Sequence, residues 1–242
     1  MELELIGLAT DPGSGLSPRA AARAGVHLLD PSVPLGPQYE ALLKRYDRIL
    51  SLHASAKLCP VGTKARAEAP PGVRVIDTGL GSAGLGAVVQ WVAERLRHGA
   101  EEEELLAEVE RLRREGRFLL AAADLGTLVE NRLMPRFGDR FGEAFGLWAL
   151  FTLEKGTFRV PPLPLPAARA PEGIAAMLRR MLGRRRVRVR ALLGEVPPDF
   201  KERLKEALSK ELTLERGTLA PMDPLAQSRV GKKAVAVFAH PV

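Results

Sequence analysis

The sequence predicts an α/β protein of two domains, and three observations carry that prediction. Short apolar runs alternate with segments of helical periodicity from residue 3 to about residue 116. Each apolar run ends in Gly, Pro, Ser or Asp, as strands do where they pass into helices in βαβ units. Beyond residue 117 the pattern changes to a strand, a helix, a hairpin and further mixed elements. The expected division is 1–116, an α/β domain with a mainly parallel sheet, and 117–242, an α+β domain.

The first strand is expected over residues 3–9, followed by a turn-rich loop at 10–15. A short helix follows over 16–25, with Ser17 as N-cap and Pro18 at its first position. Residues 26–29 read as a second strand and the proline-rich 30–37 as loop. Tyr39, Leu42, Leu43 and Tyr46 recur at helical spacing. A buried strand then opens at Ile49 and stops at His53, Ala54 and Ser55, before Cys59, the Gly62-Thr63 pair and a helix-favouring run. Residues 73–76 form a strand closed by the glycine-rich 77–86, and helices carry Val88 to Leu96 and residues 101–114. In the second half a strand from Phe118 runs into a helix at 125–133, and 134–145 is irregular. A hairpin spans 147–163, followed by helix 174–182, strand 187–193, helix 200–208 and strand 234–240.

A chain of 242 residues can bury a substantial core. No stretch approaches a membrane span, and the first residues show no basic, apolar leader, so a cytoplasmic protein is expected. One cysteine, Cys59, excludes an internal disulfide. The net charge of +7 comes with arginine far in excess of lysine, many prolines and a single asparagine, Asn131, a bias that fits a thermophile.

A strand end opening into a Gly-containing loop and a helix N-terminus is where open α/β sheets bind ligands, so residues 49–63 are the expected site. Gly79-Leu80-Gly81-Ser82-Ala83-Gly84 only loosely fits a dinucleotide loop, with no acidic residue at a strand end about 20 residues on. Tight helix–strand packing explains those glycines as well. Asp77-Thr78-Gly79 spells an aspartic-protease triplet without the second copy that chemistry needs. Ser55 or Cys59 as a nucleophile would need an oriented base, and His53 has no orienter nearby in sequence. The four histidines are scattered, so no metal site is expected. Arginines at 179, 180, 184–186, 188 and 190 form the one charge cluster. Their alternation with valine predicts a strand with a wet basic face, a docking patch for an acidic partner or a peripheral membrane contact. No aromatics interleave, so nucleic acid is not an expected partner.

Taken together the motifs resemble those of the DegV family, bacterial fatty-acid-binding proteins of two α/β-type domains. The family's S-S-x-L-S-G-T signature is similar to Ser55-Ala56-Lys57-Leu58-Cys59 followed, after two extra residues, by Gly62-Thr63. Its V-I-D-[ST] and S-x-G-L-G motifs match Val75-Ile76-Asp77-Thr78 and Ser82-Ala83-Gly84-Leu85-Gly86. Pro31-Ser32-Val33-Pro34 resembles its T-S-Q-P loop, residues 11–17 its opening D-S-x-x-D-L-P loop, and residues 125–133 its L-x-x-L-x-x-x-G-R motif. The resemblance implies a non-enzymatic carrier that holds a long-chain fatty acid by its carboxylate between two domains and presents it to a fatty-acid kinase subunit. No cofactor is implied beyond the bound lipid. Ser32, Ser55, Cys59, Gly62, Thr63 and Ser82 would form the head-group site. The chain departs from the family at Met222, where the resemblance expects a clamp histidine, and at Leu147-Trp148-Ala149, which lacks a lysine. His240 is the histidine nearest the C-terminus. Two rival readings remain: a degenerate member acting as an interaction module or binding another small acid, and a hydrolase using Ser55 or Cys59.

Overall fold

The computed structural model describes residues 5–134, 146–159 and 163–242. Residues 3 and 4 of the expected first strand, 135–145 of the expected irregular segment and 160–162 of the expected hairpin lie outside them. The chain divides into two compact units, Met1–Arg114 and Glu115–Val242.

In the first unit strands and helices alternate: β1 (Ile6–Thr10), α1 (Pro18–Ala24), β2 (Val26–Leu28), α2 (Gly36–Leu43), β3 (Arg48–His53), α3 (Val61–Glu68), β4 (Val73–Asp77) and α4 (Ser82–Arg97). A further helix, α5 (Glu102–Glu115), ends the series. The strands lie in the order β2-β1-β3-β4 and every pair is parallel. Parallel neighbours need a crossover between them, which is why a helix follows each strand. Local chemistry fixes the ends: the Ser17 side chain accepts from Ala20 N–H, Pro18 starts α1, and Gly25 closes it at φ 71°. On one face of β3 lie Ile49, Ser51 and His53; Ile49 packs with Ala9, Leu29, Leu35, Tyr39 and Ala65. Leu8, Leu50 and Leu52 are equally buried on the other face.

The second unit contains β5 (Arg117–Ala122), α6 (Leu125–Glu130), β6 (Leu147–Glu154), β7 (Thr157–Phe158), β8 (Leu163–Pro166) and α7 (Ala170–Leu182). It continues with β9 (Arg186–Leu193), α8 (Phe200–Glu211), β10 (Thr213–Pro221), α9 (Pro224–Val230) and β11 (Ala234–Pro241). The strand order is β10-β9-β11-β5-β6-β7, with β8 also on β6. Among the described residues only β9 and β10 run parallel; the other pairs are antiparallel. One face of this mixed sheet packs Val187, Val189, Val235 and Val237 against Ile174, Leu178, Phe200 and Leu204 of α7 and α8.

Two expectations are corrected. Strand β10 and helix α9 occupy a stretch that the residue pattern leaves unassigned. The arginine face of β9 is wet only at its start: Arg186 is exposed and Arg188 half-buried, but Arg190 is 5% exposed. Arg190 sits opposite Phe238, and Leu120, Leu192, Phe151 and Phe238 are buried with it, so both faces of the sheet are dry there. Burial holds the Arg190 guanidinium down at about 10.

Candidate functional site

In the first unit the C-terminal ends of β1, β3 and β4 lie side by side, Thr10 paired with Leu52 and His53 with Asp77. The segments that follow these strands therefore share one edge of the sheet, the pole at which open α/β sheets bind ligands. Strand ends leave backbone groups without ladder partners, and side chains here supply them. Thr10 Oγ1 donates to Leu52 O at 2.8 Å, and Thr78 Oγ1 to His53 O at 2.9 Å. Asp77 accepts from Gly79 N–H at 2.7 Å and from Ala56 N–H at 3.1 Å. Ser55 N–H donates to Leu80 O at 2.9 Å, tying the loop after β3 to the loop before α4.

Beneath this edge runs a chain of four enclosed side chains. Asp11 Oδ2 lies 2.6 Å from His53 Nδ1, His53 Nε2 2.9 Å from Ser51 Oγ, and Ser51 Oγ 2.8 Å from Tyr39 Oη. None of the four residues is more than 1% exposed. An ionised Asp11 only accepts, so Nδ1 carries the proton toward it, and a neutral ring then accepts at Nε2 from Ser51. Burial pushes the Tyr39 phenol up, which the Ser51 bond partly offsets, so the phenol keeps its proton and donates onward to Ser51. Asp11 is held in turn by Gly13 N–H at 2.7 Å. The orienter that the sequence did not reveal for His53 is thus Asp11, 42 residues away. Both ring nitrogens are engaged, so neither serves as a base for Ser55.

Ser55 is 3% exposed, and its Oγ receives Lys57 N–H at 3.4 Å. Among the described residues its own hydroxyl hydrogen reaches no acceptor. Cys59, half-buried, donates its N–H to Ser55 O at 3.0 Å. At Gly62 helix α3 passes close to the end of β3: a Cβ there would stand 3.0 Å from His53 Cβ, so glycine fits and a larger residue must push. Thr63 is exposed in the first turn of α3, and Ser82 starts α4 half-buried. Ser32 lies on the loop before α2, where its N–H and hydroxyl both donate to Asp30 Oδ1, at 2.9 and 2.6 Å. Those two bonds, in which the hydroxyl is the larger influence, hold the Asp30 carboxyl below its ordinary range. The Ser32 hydroxyl must leave Asp30 before it can serve a carboxylate.

Sequence reasoning also passed over Lys64 and Glu68, one turn apart on α3. Lys64 Nζ donates to Pro31 O at 2.7 Å and Val33 O at 2.8 Å, while Glu68 accepts from the N–H groups of Leu35 and Gly36. Together they clamp the loop that carries Ser32. Their i, i+4 spacing was the available signal.

An open groove of about 670 Å³ lies along β2 between α1 and α2, walled by Ala21, Val26, Leu28, Leu42 and Tyr46. None of the six expected head-group residues lines it. In the second unit Met222 is buried, its N–H donating to Leu193 O at 2.7 Å, and Asp223 caps α9 through Ala226 N–H. His240 is buried in β11 with Nδ1 2.9 Å from Pro241 O. Among the described residues no group of three or more His, Cys, Asp or Glu could hold a metal ion, and no helix is long and apolar enough to cross a membrane.

Comparison with known proteins follows the same lines. No curated protein sequence matches the chain. Among solved structures it is similar to a fatty-acid-binding DegV family protein from Thermus thermophilus, with 25% identity, a TM-score of 0.86 and coverage of 98% of this chain and 100% of that one. It shares its fold with a Thermotoga maritima protein whose structure reveals a fatty-acid-binding function, at 16% identity, TM-score 0.81 and coverage of 99% and 100%. The fold is likewise that of DegV, a fatty-acid-binding protein from Bacillus subtilis, at 14% identity, TM-score 0.80 and coverage of 99% and 100%. The profile of the DegV family, described as uncharacterised proteins, matches residues 35–242. With the profile spanning most of the sequence, this chain belongs to the DegV family.

Proposed function

We propose that this chain binds a long-chain fatty acid and acts as a carrier rather than an enzyme. The head-group site is the loop after β3, with Ser55 as the principal donor, Cys59, Gly62 and Thr63 beside it in sequence, and Ser32 and Ser82 as further donors. The observation that carries this reading is the similarity, over almost the whole chain, to the fatty-acid-binding Thermus protein. The unspent hydroxyl of Ser55, held still by its backbone bond to Leu80, supports it. A neutral hydroxyl suits a carboxylate, because a bond to a charged acceptor is stronger than one between neutral groups.

The test is mass spectrometry of the purified protein under native and then denaturing conditions. A fatty acid released on denaturation is the expected result. A protein that stays empty after incubation with palmitate would sink the carrier reading and favour a degenerate interaction module. Presentation of the lipid to a partner kinase, implied by the family resemblance, belongs to the same reading. Exposed Arg180, Arg184, Arg185 and Arg186, at the end of α7 and the start of β9, are the proposed docking surface for an acidic partner or membrane. Reversing these four charges should abolish kinase coupling and vesicle binding; unchanged coupling and binding would remove the proposal.

A hydrolase reading has one observation in its favour: Ser51, His53 and Asp11 are connected as nucleophile, base and orienter. Ser51 is fully enclosed and shares its hydroxyl with Tyr39, an arrangement suited to structure. A covalent acyl adduct after treatment with an activated ester would reverse that judgement.

A further inference from the structure

We propose that Lys64 is the countercharge of the bound carboxylate, an inference that rests on the fatty-acid reading above. Lys64 directly follows Thr63 in the first turn of α3 and is half-buried. Its ammonium lies against the carbonyls of Pro31 and Val33, the two residues that flank Ser32. One side chain thus links the two loops expected to hold the head group. An ammonium has three donors, and two are directed at these carbonyls. The third has no protein partner among the described residues, and no carboxylate there forms an ion pair with it.

The ammonium is hydrogen-bonded only to neutral carbonyls, so a ligand carboxylate would add a direct, charge-assisted bond that these two do not supply. The nearest long side chain on the same stripe, Glu68, is turned to the N–H groups of Leu35 and Gly36. Asp30 feels the lysine's charge, but its Oδ1 is bound by Ser32. A ligand carboxylate between Ser55 and Ser32 would complete the set: hydroxyl donors for geometry and one ammonium for charge.

The experiment compares two ligands of equal chain length, palmitate and hexadecanol, on wild type, Lys64→Gln and Lys64→Arg, at a pH where the acid is ionised. Gln retains a donor for the loop carbonyls and removes the charge. The expected result is a loss of about 10- to 100-fold in palmitate affinity for Lys64→Gln, the size of a charged hydrogen bond, with hexadecanol affinity held within about twofold. Lys64→Arg should retain the preference for the acid. Equal losses for both ligands would show that Lys64 only braces the loop and would overturn the inference while leaving fatty-acid binding intact. Wild type that binds neither ligand would overturn the functional reading and this inference together.

Discussion

Ten polar or charged side chains are buried among the described residues; eight belong to the first unit, and two, Arg190 and His240, to the second. The difference follows from strand direction. Parallel strands all end at one edge, so three polar-ended strands of the first unit bring Thr10, Asp11, His53, Ser55 and Thr78 together. Antiparallel strands alternate, and the second unit's loops divide between two opposite edges. Its interior is accordingly aliphatic and aromatic, with Trp148 stacked on Phe200 at 5.6 Å. A fold that gathers its loops must bond their buried groups to one another, and the Asp11–His53–Ser51–Tyr39 chain is how this one does so.

The hardest test of that contrast is Asp11→Ala. Removing the acceptor leaves the His53 Nδ1 proton buried without its partner, which should cost about 1–3 kcal/mol, read as a fall in the denaturant midpoint. A loss below about 1 kcal/mol would mean the chain contributes little to the first unit. In the second unit the comparable loss should come from apolar packing alone, with Leu178→Ala costing about 2–5 kcal/mol. Gly62→Ala, which presses a methyl toward His53, should cost about 1–3 kcal/mol and lower fatty-acid affinity as α3 shifts. Tyr39→Phe removes only the terminal donor and should cost about 1 kcal/mol with ligand affinity unchanged.

The smallest effect concerns pH. Burial raises the Glu102 carboxyl, but bonds from Arg74 at 2.8 Å and Arg48 at 3.1 Å more than reverse this and hold it below its ordinary value. A carboxyl lowered in the folded state contributes stability above its unfolded value, and that contribution is lost as pH falls through the folded one. Glu102→Gln should therefore flatten the acid limb of a melting-temperature profile and leave the alkaline limb in place. An unaltered acid limb would show that the two exposed arginines hold the carboxyl too weakly to matter.

The alternation of strands and helices was legible because each signal is local: Ser17-Pro18 before α1, Gly25 after it, Ile49 to Leu52 as an apolar run. Strand β10 was not legible, since its burial follows no two-residue period and it lies at the sheet edge with exposed Arg216 and Gly217. Helix α9 has a readable cap in Asp223-Pro224 but only seven residues, too few for a periodic pattern. The loop after β3 could be located from the sequence; its support could not. Asp11 and His53 are 42 residues apart, Lys64 and Pro31 33 apart, and no local pattern joins such pairs.

Strand β11 has a consequence for how the chain is made. Residues Ala234–Pro241 insert between β5 and β9, at the middle of the second unit's sheet. That sheet cannot close on a ribosome until residue 241 has emerged, whereas the four parallel strands of the first unit are complete by Asp77. N-terminal units fold first during synthesis. The loop after β3 is therefore positioned on a finished scaffold while β5 and β9, each with one neighbour already made, still wait for the strand that joins them.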